Sequence, residues 1–230
     1  MTEPPLVSCV VPVHNGARYV TAALDSIFAQ TWRPIEVIVV DDGSTDETPE
    51  LLAQYPHPIR VVRQENAGPA RARNQGVALA AGEFLAFQDA DDLWVPHKLT
   101  CQMERMLARP ELELCLGYLQ NFWEPELQEV ADKVKDLPVA QPWPAFGPPL
   151  MVARRSLWDR VGGFDESLRL GEDTDWSHRA WEQGVVWEMV PEVLLLRRRH
   201  GRNLTADWTT GSENMVLMLK RSLDRRRAKD

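Results

Sequence analysis

The sequence predicts an α/β protein built on a mostly parallel sheet with helices on both faces. Three observations carry this. Short apolar, β-branched runs recur at residues 6–13, 35–40, 59–62 and 84–88. Stretches with helical periodicity separate them, which is the pattern of strands joined by crossover helices. Each run also stops at a polar cluster: His14-Asn15, Asp41-Asp42, Gln64-Glu65-Asn66, and Asp89 to Asp92. In open parallel sheets ligands bind beyond the carboxyl ends of the strands, so four such clusters in register predict a site.

Each element follows from local chemistry. Residues 6–13 are too short for a typical helix and read as a strand buried on both faces. Asn15-Gly16 ends it. Tyr19, Ala22, Ala23, Ser26, Ile27 and Gln30 then fall on one helical face. Residues 35–40 form the second strand. Ser44-Thr45-Asp46-Glu47 has the capping-box pattern, predicting a helix capped by Ser44 that reaches about Gln54. After the third strand, the Ala-rich residues 69–81 predict a helix closed by Gly82. Residues 84–88 are the fourth strand.

The second half is less regular. Residues 120–149 contain Pro125, Pro138, Pro142, Pro144, Pro148 and Pro149, and predict a loop-rich excursion, a lid or acceptor-binding flap. Trp143, between two prolines, reads as a hydrophobic plug or a stacking platform, the plug being favoured. A strand at 150–153, a helix at 155–161 stopped by Gly162-Gly163, a helix at 174–183 and a strand at 193–198 follow. Residues 214–227 predict a final helix whose last turns are basic, through dipole complementation or a weak membrane-surface contact.

Composition narrows the function. The 230-residue chain can bury a full core, and its net charge of −8 argues against a general nucleic-acid binder. Cys9, Cys101 and Cys115 lack Cys-x-x-Cys spacing, suggesting a reducing compartment and no zinc site. The first residues lack a signal-peptide pattern, and no apolar stretch approaches the ~18 residues of a membrane span. The expectation is a soluble, cytoplasmic protein whose membrane contact would be peripheral, at the inner face. The richest segment is the strand entering Asp89-Ala90-Asp91-Asp92. Three carboxylates there repel one another unless a cation or a hydrogen-bonding ligand joins them. Asp89 and Asp91 point the same way in extended chain, which suits a hard divalent ion that also grips phosphate oxygens. The same residues equally suit a polar loop capping the helix after Pro96.

Several motifs in order carry a family resemblance. Val11-Pro12-Val13-His14-Asn15, Val40-Asp41-Asp42-Gly43-Ser44-Thr45-Asp46, Asn66-Ala67-Gly68-Pro69-Ala70-Arg71-Ala72-Arg73-Asn74-Gln75-Gly76, the Asp89 to Asp92 run and Gly171-Glu172-Asp173 resemble family 2 glycosyltransferases of the GT-A fold, over roughly residues 6–200. The resemblance implies one GT-A domain over residues 1–230: a nucleotide-sugar half (6–95), an acceptor-binding and catalytic half (96–205), and a C-terminal helix and basic tail (206–230). It implies an inverting enzyme of the hexosyltransferase class, moving sugar from a nucleotide-sugar, usually a UDP-sugar, to a hydroxyl. The acceptor could be a glycan, a lipid-linked glycan, a peptide or a small molecule.

By resemblance, Pro12, His14 and Asn15 line the base pocket, and His14 would stack on uracil. Asp42 would accept a hydrogen bond from the uracil ring nitrogen, and Asn66 and Arg73 would close over the nucleoside. Asp89, beside Ala90, looks like the ribose contact. Asp91 looks like the ligand of Mn²⁺ or Mg²⁺, and Asp92 a helix cap. His200 matches a further metal ligand, and Arg198, on the same side of the strand, would meet the donor phosphates. Glu172-Asp173 looks like the catalytic pair, with Asp173 matching the family's general base; Asp175 competes, but only one of Asp173 and Asp175 can face the site from a helix. Rival readings are weaker. A glycoside hydrolase leaves Asp42, Asn66 and Asp91 without roles. A nucleotidyltransferase would carry a Gly-rich basic loop after the first strand. A binding module that lost catalysis has no need of Asp91, Asp173 and His200.

Overall fold

The computed structural model describes residues 3–168, 170–201 and 203. The predicted helix at 214–227 and the basic tail lie outside them. β1 (Val7–Val13), β2 (Ile35–Asp41), β3 (Arg60–Arg63) and β4 (Phe84–Phe87) are the four predicted strands. β1 and β4 are buried along nearly their whole length, which is why they read as apolar runs without alternation. They pair in parallel in the order β3-β2-β1-β4. The register sets Val13 beside Asp41 and Val10 beside Phe87, so the polar clusters that end β1, β2 and β4 stand side by side.

α1 (Val20–Phe28), α2 (Thr48–Ala53) and α3 (Pro69–Leu79) are the crossover helices. α3 lies so close to β1 that a Cβ on Gly76 would sit 2.3 Å from a Val10 methyl. Two predicted helix ends differ from the structure. Ser44 does not cap α2: its hydroxyl accepts the Asn15 N–H at 2.9 Å, and its own N–H goes to Asp41 Oδ1 at 2.8 Å. Asp46 organises that turn instead, accepting the Thr48 N–H and hydroxyl at 3.0 and 2.6 Å. α3 stops at Leu79 with Ala80 extended, and Gly82 meets a different demand. A Cβ there would lie 2.6 Å from the Leu6 carbonyl oxygen.

The rest of the sheet is mixed. β5 (Leu93–Trp94), β6 (Leu114–Trp123), β7 (Trp143–Pro144), β8 (Val152–Arg154) and β9 (Trp187–Arg199) continue it from β4 as β8-β6-β9-β5, with β7 on β6. β8 is antiparallel to both β4 and β6, whereas β6 and β9 are parallel. Residues 120–149 hold more structure than expected: β6 runs into them, α5 (Gln128–Val134) follows, and three 3-10 turns form at prolines. Trp143 is partly buried against the core, so the plug is what forms. β9 starts at Trp187, earlier than its apolar run.

α4 (Lys98–Ala108), α6 (Arg155–Val161) and α7 (Glu172–Glu182) cover this half. Trp158, Phe164 and Trp176 pack with Phe87 of β4, fixing α6 and α7 to the sheet. Lys98 is fully buried at the start of α4. Its Nζ donates to Gln102 Oε1 at 2.8 Å and sits 4.3 Å from the centre of the Trp94 ring. Burial lowers its pKa to about 7, against weak support from Cys9 and Cys115. Among the described residues no helix is long and apolar enough to cross a membrane.

Candidate active site

A cleft of about 1100 Å³ opens at the carboxyl ends of β1, β2 and β4. His14, Asp42, Asn66, Asp89, Asp91, Asp173 and His200 line it, so residues more than 180 positions apart in sequence share one wall. Pro12, Asn15, Arg73, Ala90 and Glu172 also line it.

Its floor is organised by Asp42. The buried carboxylate accepts from Gln64 Nε2 at 2.6 Å and Ala67 N at 2.9 Å on Oδ1, and from Gly68 N at 2.8 Å on Oδ2. Gly68, with φ +91°, supplies a backbone conformation that side chains disfavour, and Pro69 then starts α3. His14 Nδ1 lies 2.8 Å from the Asp42 carbonyl oxygen, which makes Nδ1 the protonated nitrogen. Nε2 then accepts from Asn15 Nδ2 at 3.2 Å. Asn15 Oδ1 accepts the Thr45 N–H at 2.8 Å, joining the loops after β1 and β2. Asn66 Nδ2 lies 3.0 Å from the same Nδ1, where in this tautomer two N–H groups meet, so the loop after β3 reaches the imidazole by contact without a hydrogen bond.

The acidic run divides three ways. Asp89 accepts from Arg73 Nη2 at 2.7 Å. Arg73, 6 % exposed, extends its other nitrogen, Nη1, to Glu172 at 2.7 Å. Burial opposes the charge on Arg73, but Asp89, Glu172 and Asp173 hold it protonated. Burial raises the pKa of Glu172 despite this partner, and Asp173 adds to the rise. Arg73 therefore clamps the end of β4 to the start of α7, rather than standing over the cleft as a free cation. Asp91 turns the other way, to His200 Nε2 at 3.0 Å and Asn203 Nδ2 at 3.2 Å. Tyr19 lies against the His200 ring at 4.7 Å.

Asp92 is buried and does not cap α4, which begins after His97 with no side-chain cap. Its Oδ1 accepts the Arg198 N–H at 2.8 Å, tying the acidic run to the end of β9. Burial, then Asp91 and Asp89, raise its pKa well above the ordinary carboxylate range.

Arg198 is not brought to the cleft as expected. Its Nε donates to the Asp91 carbonyl at 2.9 Å, Nη1 pairs with Glu124, and its guanidinium sits between the Tyr19 and Phe122 rings. Arg197 lines the cleft in its place. The alternation of β9 did put Arg197 and Arg198 on opposite sides; the register shifts against β6 lie upstream, where β9 carries extra residues around Pro191.

α7 gives Asp173 and Asp175 different surroundings. Gly171, with φ +85°, sets its start, and Glu172, Asp173 and Asp175 all sit in its first turn, where the helix dipole favours negative charge. Asp175 is buried and bound to Arg179 Nε at 2.8 Å. Arg179 in turn donates to the carbonyls of Val161 and Gly163, so this pair holds α6 to α7. Asp173 remains at the cleft, and among the described residues its Oδ1 accepts the neighbouring Thr174 N–H, at 2.7 Å, and hydroxyl, at 3.3 Å.

Among the described residues no group of three or more His, Cys, Asp or Glu side chains could by itself hold a metal ion. The Asp91–His200 pair offers a carboxylate oxygen and an imidazole nitrogen at one point of the cleft wall. That donor set fits a divalent ion such as Mn²⁺ whose remaining positions are filled by phosphate and water. Reading the sequence missed Tyr19, Asn203 and Glu124. A partner for His200 and for Arg198 had to exist, but nothing in the spacing said which residue it was.

Comparisons with known proteins show the family and the fold. The chain is 32 % identical over 217 residues to an uncharacterised glycosyltransferase of Rickettsia typhi, spanning 89 % of this chain and 67 % of that protein. It is 28 % identical over 221 residues to the uncharacterised glycosyltransferase EpsJ of Bacillus subtilis, covering 87 % of this chain and 63 % of that one. Among solved structures, S. aureus TarS 1-349 in complex with UDP-GlcNAc superposes with a TM-score of 0.71 at 22 % identity, over 88 % of this chain and 61 % of that one. The mannosyltransferase PcManGT of Pyrobaculum calidifontis, in complex with GDP-Man and Mn²⁺, gives 0.71 at 24 % identity, over 97 % and 65 %. The chain thus spans about two thirds of the length of such relatives, and its fold is the GT-A fold expected from the sequence. Residues 8–152 match the model of glycosyl transferase family 2, and the chain belongs to that family.

Proposed function

We propose that this protein is an inverting glycosyltransferase that moves a sugar from a nucleotide-sugar, of the UDP class, to a hydroxyl by direct displacement. One observation supports this above the others. Asp173 and the Asp91–His200 pair line the same cleft, while the competing carboxylate Asp175 is consumed by Arg179. A base and a leaving-group site thus share one cleft.

The roles follow from each atom's partners. The Asp42 Oδ2 atom, with one lone pair taken by Gly68 N, would accept the ring N–H that uracil presents. His14, its plane held from both nitrogens, would stack on the base, with Pro12, Asn15 and Asn66 around it. Asp89 would take the ribose hydroxyls, with Ala90 next to it and Arg73 fixing its orientation. Asp91 and His200 would hold the divalent ion, which when bound supplies Lewis-acid stabilisation of the leaving diphosphate. Asp173 would take the proton from the acceptor hydroxyl as its oxygen attacks the anomeric carbon; the bond to the diphosphate breaks from the opposite face and carries away the electron pair. The UDP, UDP-GlcNAc and GDP-Man complexes of the structural neighbours support a nucleotide-sugar donor.

Asp173→Asn tests the assignment. We expect sugar release from a UDP-sugar in the presence of Mn²⁺ to fall by about 10²–10⁴-fold, with UDP affinity nearly unchanged by calorimetry. Equal loss of turnover and UDP binding would place Asp173 in the donor site and refute the assignment.

A further inference from the structure

Phe146, Trp181 and Trp187 form an aromatic group that the core does not absorb. They are 41 %, 37 % and 40 % exposed, although Phe146 touches both tryptophans. Its ring centre lies 5.4 Å from Trp181 and 5.3 Å from Trp187, at 77° and 71°. In an edge-to-face pair the ring that presents its edge keeps both of its faces uncovered by the partner. Exposed aromatic area of this kind marks a binding surface more often than chance.

Its position says what it binds. Phe146 lines the cleft that also holds Asp173, and Trp181 and Trp187, outside that lining, pack on Phe146. Trp181 stands eight residues beyond Asp173 on α7, about 12 Å along the helix at ~1.5 Å per residue. That is farther than one sugar ring spans. An acceptor with its hydroxyl at Asp173 must therefore be several sugars long to reach the tryptophans. The apolar faces of pyranose rings are suited to flat aromatic surfaces, and the net charge of −8 disfavours an anionic bilayer as occupant.

We infer that Phe146, Trp181 and Trp187 bind the distal sugars of an oligosaccharide acceptor by stacking, so that this enzyme elongates or decorates a glycan chain. The inference rests on the transferase reading above. The probes are hexasaccharides of glucose, mannose, galactose and N-acetylglucosamine, titrated calorimetrically into the protein with UDP and Mn²⁺, and the corresponding monosaccharides. At least one hexasaccharide should bind where its monosaccharide does not. The Trp181→Ala/Trp187→Ala double variant should weaken that binding at least about tenfold, and Trp→Phe at both positions should restore most of it. UDP-sugar hydrolysis should be the same in all three proteins, which also shows that they are folded. No hydrolysis in the wild type sinks the transferase reading. Normal hydrolysis sinks the inference alone when no hexasaccharide binds, or when the double variant binds as well as wild type. It does so too when the aromatic group instead proves necessary for sedimentation with phosphatidylglycerol vesicles.

Discussion

Replacing Lys98 by Met should change not only how stable the protein is but how its stability depends on pH. The amine is fully buried and its pKa falls from 10.5 to about 7. Between those values the unfolded chain carries a proton that the folded chain lacks, so unfolding free energy rises with pH across the window. The cost of burying the charge is greatest below pH 7 and is relieved above it. The full difference is about 5 kcal/mol, at ~1.36 kcal/mol per unit, and about 2 kcal/mol of it falls between about pH 6 and 8.5. Above pH 9 the slope reverses: burial raises the pKa of Cys9 and takes that of Cys115 to about 12, so unfolding then releases thiol protons. Urea unfolding of wild type should thus show a maximum between about pH 8 and 9. Lys98→Met keeps the length of the side chain and removes the titration; Gln102 retains its bonds to the Cys115 and Leu150 carbonyls. The variant should gain most at pH 6 and lose the rise toward 8.5. Wild-type stability that is flat or falling over that range, or an equal slope in Lys98→Met, would refute the reasoning.

Two other outcomes follow from geometry. Arg73→Gln leaves the buried Glu172 without its cation and frees Asp89, and should destabilise by about 3 kcal/mol; a thermal melt reads this, and a KM for donor that rises together with a fall in kcat would separate the clamp from a plain donor contact. Gly76→Ala forces a methyl onto Val10, and should destabilise by about 1–3 kcal/mol, with UDP binding to the surviving folded protein unchanged.

What the sequence made legible divides along the same line as the sheet. The parallel half was readable because strands buried on both faces are uniformly apolar and each ends in residues with few structural reasons to be there. Asp42, Asp89 and Asp91 were found in this way. The mixed half was not, because its longest pairing, the parallel one of β6 with β9, joins strands some seventy residues apart and shifts register along the way. Ser44 and Gly82 misled for a related reason: each has a local chemistry that fits a helix end, but a tertiary contact claimed it first. The choice between Asp173 and Asp175 could be posed from helical periodicity, yet its resolution required Arg179 and the loop at Gly162. Arg198 failed similarly, because its ring neighbours and Glu124 come from other elements.

The way β8 joins β4 has a consequence for how such enzymes diversify. In the proposed arrangement most residues assigned to the nucleotide lie in the parallel half, with His200 reaching them from the end of β9, and the later segment joins that half through the short antiparallel pairing of Phe84 with Arg154 and Ala86 with Val152 and through the buried Arg73 guanidinium. A recombination event that swaps the later segment would have to preserve these junctions together with the β5–β9 rungs, the Asp92 tie, the Asp91–His200 pair and the packing of Trp158 and Phe164 on Phe87. On the proposed roles, new acceptors would then be acquired without rebuilding the donor pocket.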